Sequence, residues 1–296
     1  MYTFNRLNNA FTALLYQPFT FSLFRPMLVA LQPGDSLIAI AASDSNKPIG
    51  LALAQILPQS NDALVFSIFV EPNYRSQGIG ADLLAYLEKE LISQNCTSAK
   101  LIYTSGQPTT VALERILQKR NWTPPAPRML VCQSTIDKIV NAPWMEKTEI
   151  PDAYSIFPWG EITQSERLEL EKQQEIYPWI PKTLIPFGHE EKFEPLNSLG
   201  LRYQGEVVGW MITHRIAPDT IRYTCGFLRP DLQKMARFIP LLVKAIQLQA
   251  KANIINCSCA VSVKRDSMAN FVKKRMSPYL TALKESRESV KLLIEG

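Results

Sequence analysis

Four consecutive residues, Phe69-Val70-Glu71-Pro72, are echoed 158 positions later by Phe227-Leu228-Arg229-Pro230. At the same offset Leu83-Leu84 falls on Leu241-Leu242 and Asn95 on Asn253, and Ile49-Gly50 meets Val208-Gly209 at 159. Self-similarity at one offset constrains a fold more than local propensity does, because each copy must bury the same faces with the same elements. The chain has 296 residues, 46% of them hydrophobic and 20% charged. That composition is globular, excludes disorder and low-complexity classes, and leaves room for two domains.

The element order supports a duplication. In the first half, strands are expected at Ser36–Ala42, Ile49–Leu57 and Leu64–Val70, then a breaker-rich stretch from Glu71 to Gly80. Leu64–Val70 is almost wholly apolar, so burial on both faces is expected. A helix follows over Ala81–Ser93, with Leu83, Leu84, Leu87 and Leu91 at helical spacing on one face. A strand at Lys100–Thr104, a helix at Thr109–Lys119 and a strand at Met129–Gln133 complete this half. The second half repeats the order: strands Leu201–Gln204, Val207–Ile216 and Ile221–Leu228, a helix over Phe238–Lys251, a strand at Ile254–Val263 and a helix at Ser267–Arg275. The boundary is expected in Asp137–Pro151, which is proline-bearing, charged and without periodicity. This divides the chain into lobes 1–142 and 143–296.

Several classes are excluded or disfavoured. The net charge of +5 is mild, far from the dense basic footprint of a dedicated nucleic-acid binder. Lys264, Arg265, Lys273, Lys274 and Arg275 keep nucleic-acid binding open as a third class, although a charged helix face explains them equally. The five cysteines are odd in number and form no CxxC, which points to reduced thiols in the cytoplasm. With only two histidines, no metal site is expected. The most apolar stretch, Phe11 to Leu31, is broken by Pro18, Arg25 and Pro26, so no membrane span is expected.

The segment that carries chemistry is Val70-Glu71-Pro72-Asn73-Tyr74-Arg75-Ser76-Gln77-Gly78-Ile79-Gly80, between a buried strand and an amphipathic helix. The first N–H groups of a helix have no internal partner, and the helix dipole adds positive character. Glycines there let backbone reach unusual conformations and approach a bulky ligand, so a diphosphate cradle is expected, with Arg75 at its rim. No Gly-Lys-Ser/Thr follows, which excludes a P-loop. Leu83 stands where the dinucleotide fingerprint needs its third glycine.

What remains, Arg-x-x-Gly-x-Gly preceded by Val-x-Pro-x-x-Arg, resembles the acyl-CoA-binding motif of the GCN5-related N-acetyltransferase (GNAT) family. The resemblance covers Ile49 to about Gln133 well, and Leu201 onward in element order alone. It implies an α/β (α+β) fold of two GNAT-like lobes, each a mixed twisted sheet flanked by helices. It implies an N-acetyltransferase that moves an acetyl group from acetyl-CoA, a co-substrate, to an amine acceptor whose class the residues do not reveal. The backbone of Ile68, Phe69 and Val70 would pair with the pantetheine arm. Gln77, Gly78, Ile79, Gly80 and Ala81 would hold the diphosphate, with Arg75 and Ser76 beside it.

The sequence departs from the family pattern at the proton-transfer positions. Leu117, or Ile116 in a shifted register, stands where many members carry a tyrosine acid, and Thr110 where they carry Asn. No acid lies inside the strand Leu64–Val70; Asp62 precedes it and Glu71 closes it. Candidate catalytic groups are therefore Tyr103 as a substitute acid and Glu71 as a base acting through water. His189, among prolines and acids, is a candidate acceptor contact, and His214 lies within a strand. In the second lobe Gln233, Met235, Ala236 and Phe238 replace Arg75, Gln77, Gly78 and Gly80. A degenerate copy without cofactor is expected there. A non-catalytic acyl-CoA-binding sensor or scaffold is the alternative to an enzyme, and oligomeric state is not legible.

Overall fold

The computed structural model describes residues 1–233 and 238–293. Twelve strands run in chain order: β1 (Tyr2–Leu7), β2 (Leu37–Asp44), β3 (Lys47–Leu57), β4 (Asp62–Val70), β5 (Ser98–Thr104), β6 (Ala126–Thr135), β7 (Tyr154–Pro158), β8 (Leu199–Tyr203), β9 (Glu206–Ala217), β10 (Thr220–Leu228), β11 (Asn256–Ser262) and β12 (Ala282–Leu292). Helices α1 (Ala10–Leu14) and α2 (Arg25–Val29) follow β1. Helix α3 (Ile79–Ser93) joins β4 to β5, and α4 (Thr110–Lys119) joins β5 to β6. Later come α5 (Ile136–Ile139), α6 (Gln164–Ile176), α7 (Pro230–Gln233), α8 (Phe238–Lys251) and α9 (Asp266–Phe271). Among the described residues no helix is long and apolar enough to cross a membrane.

The chain forms two compact units that are not contiguous in sequence. Unit 1 holds Met1–Arg128 and Glu285–Gly296; unit 2 holds Met129–Lys284. In unit 1 the strand order is β1-β2-β3-β4-β5-β12. Every neighbouring pair is antiparallel except β4 and β5, which run parallel. Helices α3 and α4 cover one face, where Leu83, Leu84, Leu87, Leu91 and Leu117 join Ile38, Ala52, Val65 and Leu101 in the core. Each fully buried leucine contributes ~1.5–3 kcal/mol relative to exposure. Beyond the Gln94 C-cap of α3, Asn95 has a left-handed φ of 60° and turns the chain back toward β5. The α1–α2 segment covers the other face, over Leu51, Leu53 and Phe66.

In unit 2 the order β6-β11-β10-β9-β8-β7 repeats that pattern, with β10 and β11 as the parallel pair. The repeat holds at the level of single residues. Parallel pairing begins at Asp62↔Ser98 in one unit and Thr220↔Asn256 in the other, and ends at Val65↔Leu101 and Tyr223↔Cys259. All are 158 apart. A bulge follows on β4 at Phe66 and on β10 at Thr224, again 158 apart. Gly50 and Gly209 make the same close approach: an added Cβ would stand 2.8 Å from Phe69 O in one unit and 2.9 Å from Phe227 O in the other. Asn253 has φ 56°, matching Asn95.

One expectation needs correction. The strand Leu64–Val70 is not buried on both faces; from Phe66 to Val70 it is only partly buried. The cause is that β5 leaves it after Val65.

Candidate functional site

The opening between β4 and β5 fixes the site. The last pair is Val65↔Leu101; beyond it no pairing joins the two strands among the described residues. The bulge at Phe66 bends β4 away at that level, as an extra residue in one strand does. Glu71 N–H donates to Ile49 O on β3 at 2.8 Å. Backbone alternation then turns the N–H and C=O groups of Ile68 and Val70 away from β3, toward the opening. Strand-edge groups left without a neighbouring strand are a template for an added extended segment.

At the upper end of β4 the chain makes a short turn, Pro72–Tyr74, and enters α3. Gly78 is the N-cap, with φ 86° and no side-chain cap. The first helical bonds run from Ala81 and Asp82 to Gly78 O, at 2.9 and 3.1 Å. The N–H groups of Gly78, Ile79 and Gly80 thus precede the helical ladder and are free to donate outward. Ser76 adds a second left-handed residue, φ 62°. Tyr2 of β1 braces the loop by donating to Gln77 Oε1, and its ring meets the Tyr74 edge at 6.3 Å. Arg75 is exposed; its Nε donates to Val70 O at 3.0 Å, and its guanidinium lies 5.6 Å from the Phe69 ring centre.

The two glycines have different reasons. A Cβ on Gly78 meets nothing nearer than Asp82 Oδ2 at 4.0 Å, so the positive φ is what selects glycine. A Cβ on Gly80 points inward, 3.1 Å from Ile116 Cδ1 and 3.7 Å from Val70 Cγ2. Gly80 is therefore a packing glycine between α3 and α4. Of the two glycines expected at the cradle, Gly78 is thus the one chosen for backbone conformation, and Gly80 is the one that makes room for α4.

The expected acid and base are placed as follows. Tyr103 on β5 donates its O–H to Glu114 Oε1 of α4 at 2.5 Å. Arg287 of β12, the register partner of Tyr103, donates to the same oxygen at 2.8 Å. Burial and the neighbouring Glu114 carboxylate push the Tyr103 phenol well above its ordinary value of 10.0. The Tyr103 and Arg287 hydrogen bonds hold the Glu114 carboxyl below its ordinary range. Glu71 lies against Lys47 of β3, Oε2 to Nζ 3.8 Å, and Lys47 also sits over Tyr74. Asp62 accepts from Ser98 Oγ at 2.6 Å at the closed end of the strand pair, below the opening. Leu117 is 1% exposed, in the core of unit 1. His189 in unit 2 contacts Thr183 O at 3.1 Å, and His214 contacts Thr224 Oγ1 at 2.8 Å. Both histidines belong to unit 2.

Glu114, Arg287 and Tyr2 were not legible as site residues. Arg287 lies 184 residues beyond Tyr103 in sequence, and nothing local announces that the last strand returns to the first unit.

In unit 2 the counterpart of Arg75 repeats its bond: Gln233 Nε2 donates to Leu228 O at 2.7 Å. The counterparts of Gly80 and Ile68 have exchanged bulk. Phe238 turns its ring inward onto Gly226, where an added Cβ would stand 2.7 Å from Phe238 Cζ. Phe238 thus fills the space that Ile68 fills in the first unit. Arg229 is held by Asp231 at 2.9 Å and Glu206 at 3.2 Å, which brings two carboxylates to the loop. Met235 and Ala236 lie outside the described residues.

Residues 4–113 match the family model described as Acetyltransferase (GNAT) family. No curated protein matches the sequence. Among solved structures, the chain is similar to a GCN5-related N-acetyltransferase from Sphaerobacter thermophilus, with 14% identity over 99% of this chain and 96% of that one and a TM-score of 0.67. It is also similar to a tandem GNAT protein from the clavulanic acid biosynthesis pathway, at 12% identity over all of both chains and a TM-score of 0.63. Similarity of this degree speaks for the fold. The family match thus lies on the first unit, over residues 4–113, and the second unit repeats that unit's strand order and its one parallel pair.

Proposed function

We propose that the first unit binds an acyl-CoA and transfers its acetyl group to an amine, and that the second unit does not bind the cofactor. One observation carries this reading. The opening between β4 and β5 begins at Val65↔Leu101 and runs up to the uncapped N-terminus of α3, so one extended ligand with a diphosphate can use both. Ile68 and Val70 would pair with the pantetheine amides, beside Phe69. Binding would exchange the Arg75 bond on Val70 O for a contact to the diphosphate. Gln77, Gly78, Ile79, Gly80 and Ala81 would present backbone to it, with Ser76 beside them.

The chemistry left to the protein is positioning. The amine nitrogen attacks the thioester carbon, the C–S bond breaks, and the thiolate takes up the proton the amine loses, through solvent. Holding the two reactants in contact supplies a large part of such a rate without an acid or base. Tyr103 does not serve as the acid in this scheme, because its proton is committed to Glu114, and Glu71 is turned to Lys47. For the second unit, Ala236 replaces the glycine that adopts φ 86° in the first, and Asp231 and Glu206 add negative charge. The five cysteines, all free, fit a reducing compartment such as the cytoplasm.

A sensor or scaffold that binds acyl-CoA without turnover is the second reading, favoured by the buried Leu117 at the acid position. Calorimetry with acetyl-CoA followed by a thiol-release screen over amine classes separates them. Binding with turnover supports the enzyme; tight binding without turnover for any amine supports the sensor; absence of binding overturns both.

A further inference from the structure

The opening between β4 and β5 has two mouths. The cradle lies on the face covered by α3 and α4. An acceptor therefore meets a thioester in the opening from the opposite face, which carries the α1–α2 segment. Three features share that face at the level where the strands part. Phe66, the bulge residue, stacks on Phe24, the residue that precedes α2, ring centres 4.3 Å apart and 6° from parallel. Ile102 is the first β5 residue past the last pair; its neighbours Leu101 and Tyr103 pack toward α3 and α4, so Ile102 faces the other way. Its register partner on β12 is Glu288.

Glu288 holds two cations, Arg128 Nε at 3.2 Å and Lys100 Nζ at 3.6 Å. The carboxylate side chain is 27% exposed, whereas Arg128 and Lys100 are 42% and 46% exposed. The triad therefore offers its positive groups to solvent and carries one net positive charge. Roughly 10 Å, two strand spacings, separates it from the aromatic stack.

We propose that the acceptor is a primary amine carrying one carboxylate and an apolar body, the pattern of a hydrophobic or aromatic amino acid. Its carboxylate would lie on Arg128 and Lys100, its side chain against Phe24 and Phe66, and its amine between them at the opening beside Ile102. The proposal rests on the acyl-transfer reading above. One net positive charge matches a monoanion; a phosphate dianion would leave charge unbalanced. Glu288 is already committed to two cations, so it does not hold the ammonium form, and the amine reacts as its free base. The N–C bond to the acetyl carbon forms, the C–S bond of acetyl-CoA breaks, and the proton passes from nitrogen to the thiolate through solvent.

The test compares L-phenylalanine and L-leucine with phenethylamine, which lacks the carboxylate, as acceptors with acetyl-CoA, reading thiol release. CoA affinity is measured separately by calorimetry. The expected result is a kcat/KM for L-phenylalanine at least about tenfold above that for phenethylamine, the scale of one charge-assisted contact. Arg128→Met and Lys100→Met should erase that margin while leaving phenethylamine turnover and CoA affinity within about twofold. Equal use of the two acceptors by the unaltered protein overturns the proposal, as does CoA binding without acetylation of either amino acid. The unaltered protein decides this comparison even if a variant misfolds. Loss of CoA binding by the unaltered protein overturns the acyl-transfer reading instead, which is a distinguishable outcome.

Discussion

Replacing Tyr103 by Phe separates a structural hydrogen bond from a catalytic proton. The phenol donates to Glu114 Oε1 at 2.5 Å, and Glu114 keeps the Arg287 bond at 2.8 Å when the phenol is removed. Losing one charge-assisted bond costs about 1.5–3 kcal/mol. Glu114 is partly exposed and retains its cation, which places the loss near the lower end, about 1.5 kcal/mol, or a fall of ~3–6 °C in Tm for a unit of this size. For catalysis the arithmetic runs the other way. A leaving thiol has an ordinary pKa of about 8.5, while the phenol lies above 10, so proton transfer between them is uphill by at least ~2 kcal/mol. The bond to Glu114 must also break. Tyr103→Phe should therefore lower kcat less than about threefold, against the 10²–10⁴ that a working general acid supplies. The assay is steady-state thiol release from pH 7 to 9, with CoA affinity by calorimetry and Tm by circular dichroism. Without a shifted general base, log kcat/KM should climb with about unit slope up to the amine's own pKa. A hundredfold loss in kcat with CoA affinity unchanged would refute the reasoning and return Tyr103 to the mechanism.

The glycines of the cradle should respond differently. Gly80→Ala crowds Ile116 Cδ1 at 3.1 Å, so in denaturant unfolding its effect should be more favourable by ~1 kcal/mol in an Ile116→Val background than beside Ile116. Gly78→Ala meets open space but forces a side chain to φ 86°; it should cost ~1 kcal/mol with no rescue from Ile116→Val. Lys291→Met removes one of the partners of the buried Glu88 carboxylate, 2.9 Å away, while Arg120 at 2.5 Å and Trp122 at 2.8 Å remain. Chemical denaturation should report a loss of ~1.5–3 kcal/mol, and no measurable loss would show that β12 contributes nothing there. Paired hydrogen bonds from Arg202 hold the Glu166 carboxyl down to about 2. A depressed folded value gives stability that is present above the ordinary 4.5 and is lost as pH falls from there toward about 2. Glu166→Gln should flatten that part of the acid-unfolding curve, and an unchanged curve would exclude the pair as its cause.

The repeat was legible because it survives in residues that serve geometry. Gly50 and Gly209 permit a close strand approach, and Asn95 and Asn253 turn the chain at a helix end. These roles tolerate few substitutes, so the letters persist after most of the surrounding sequence has diverged. The cradle was legible for the same reason, since Gly78 marks a backbone conformation that other residues disfavour. Strand β12 was not legible. Its sequence, Lys284-Glu285-Ser286-Arg287-Glu288-Ser289, shows no apolar alternation because its side chains make ion pairs to Glu114, Lys100 and Arg128 in place of a hydrophobic face. Nor could local pattern reveal that this strand completes the first unit, because strand pairing between distant segments leaves no local trace. The direction of bulk was not legible either: the letters at Gly80 and Phe238 tell where a side chain is absent or large, and only the packing shows that both positions face inward.

The number of cofactors one chain holds, and where, decides between one working unit and two. Titration of the full chain with acetyl-CoA, read by calorimetry and by intact-complex mass spectrometry, should give one equivalent per chain. In Gly78→Val, where a branched side chain is forced to φ 86°, that equivalent should vanish while circular dichroism shows the fold retained. Two equivalents, or one that survives in Gly78→Val, would contradict the assignment of the site to the first unit.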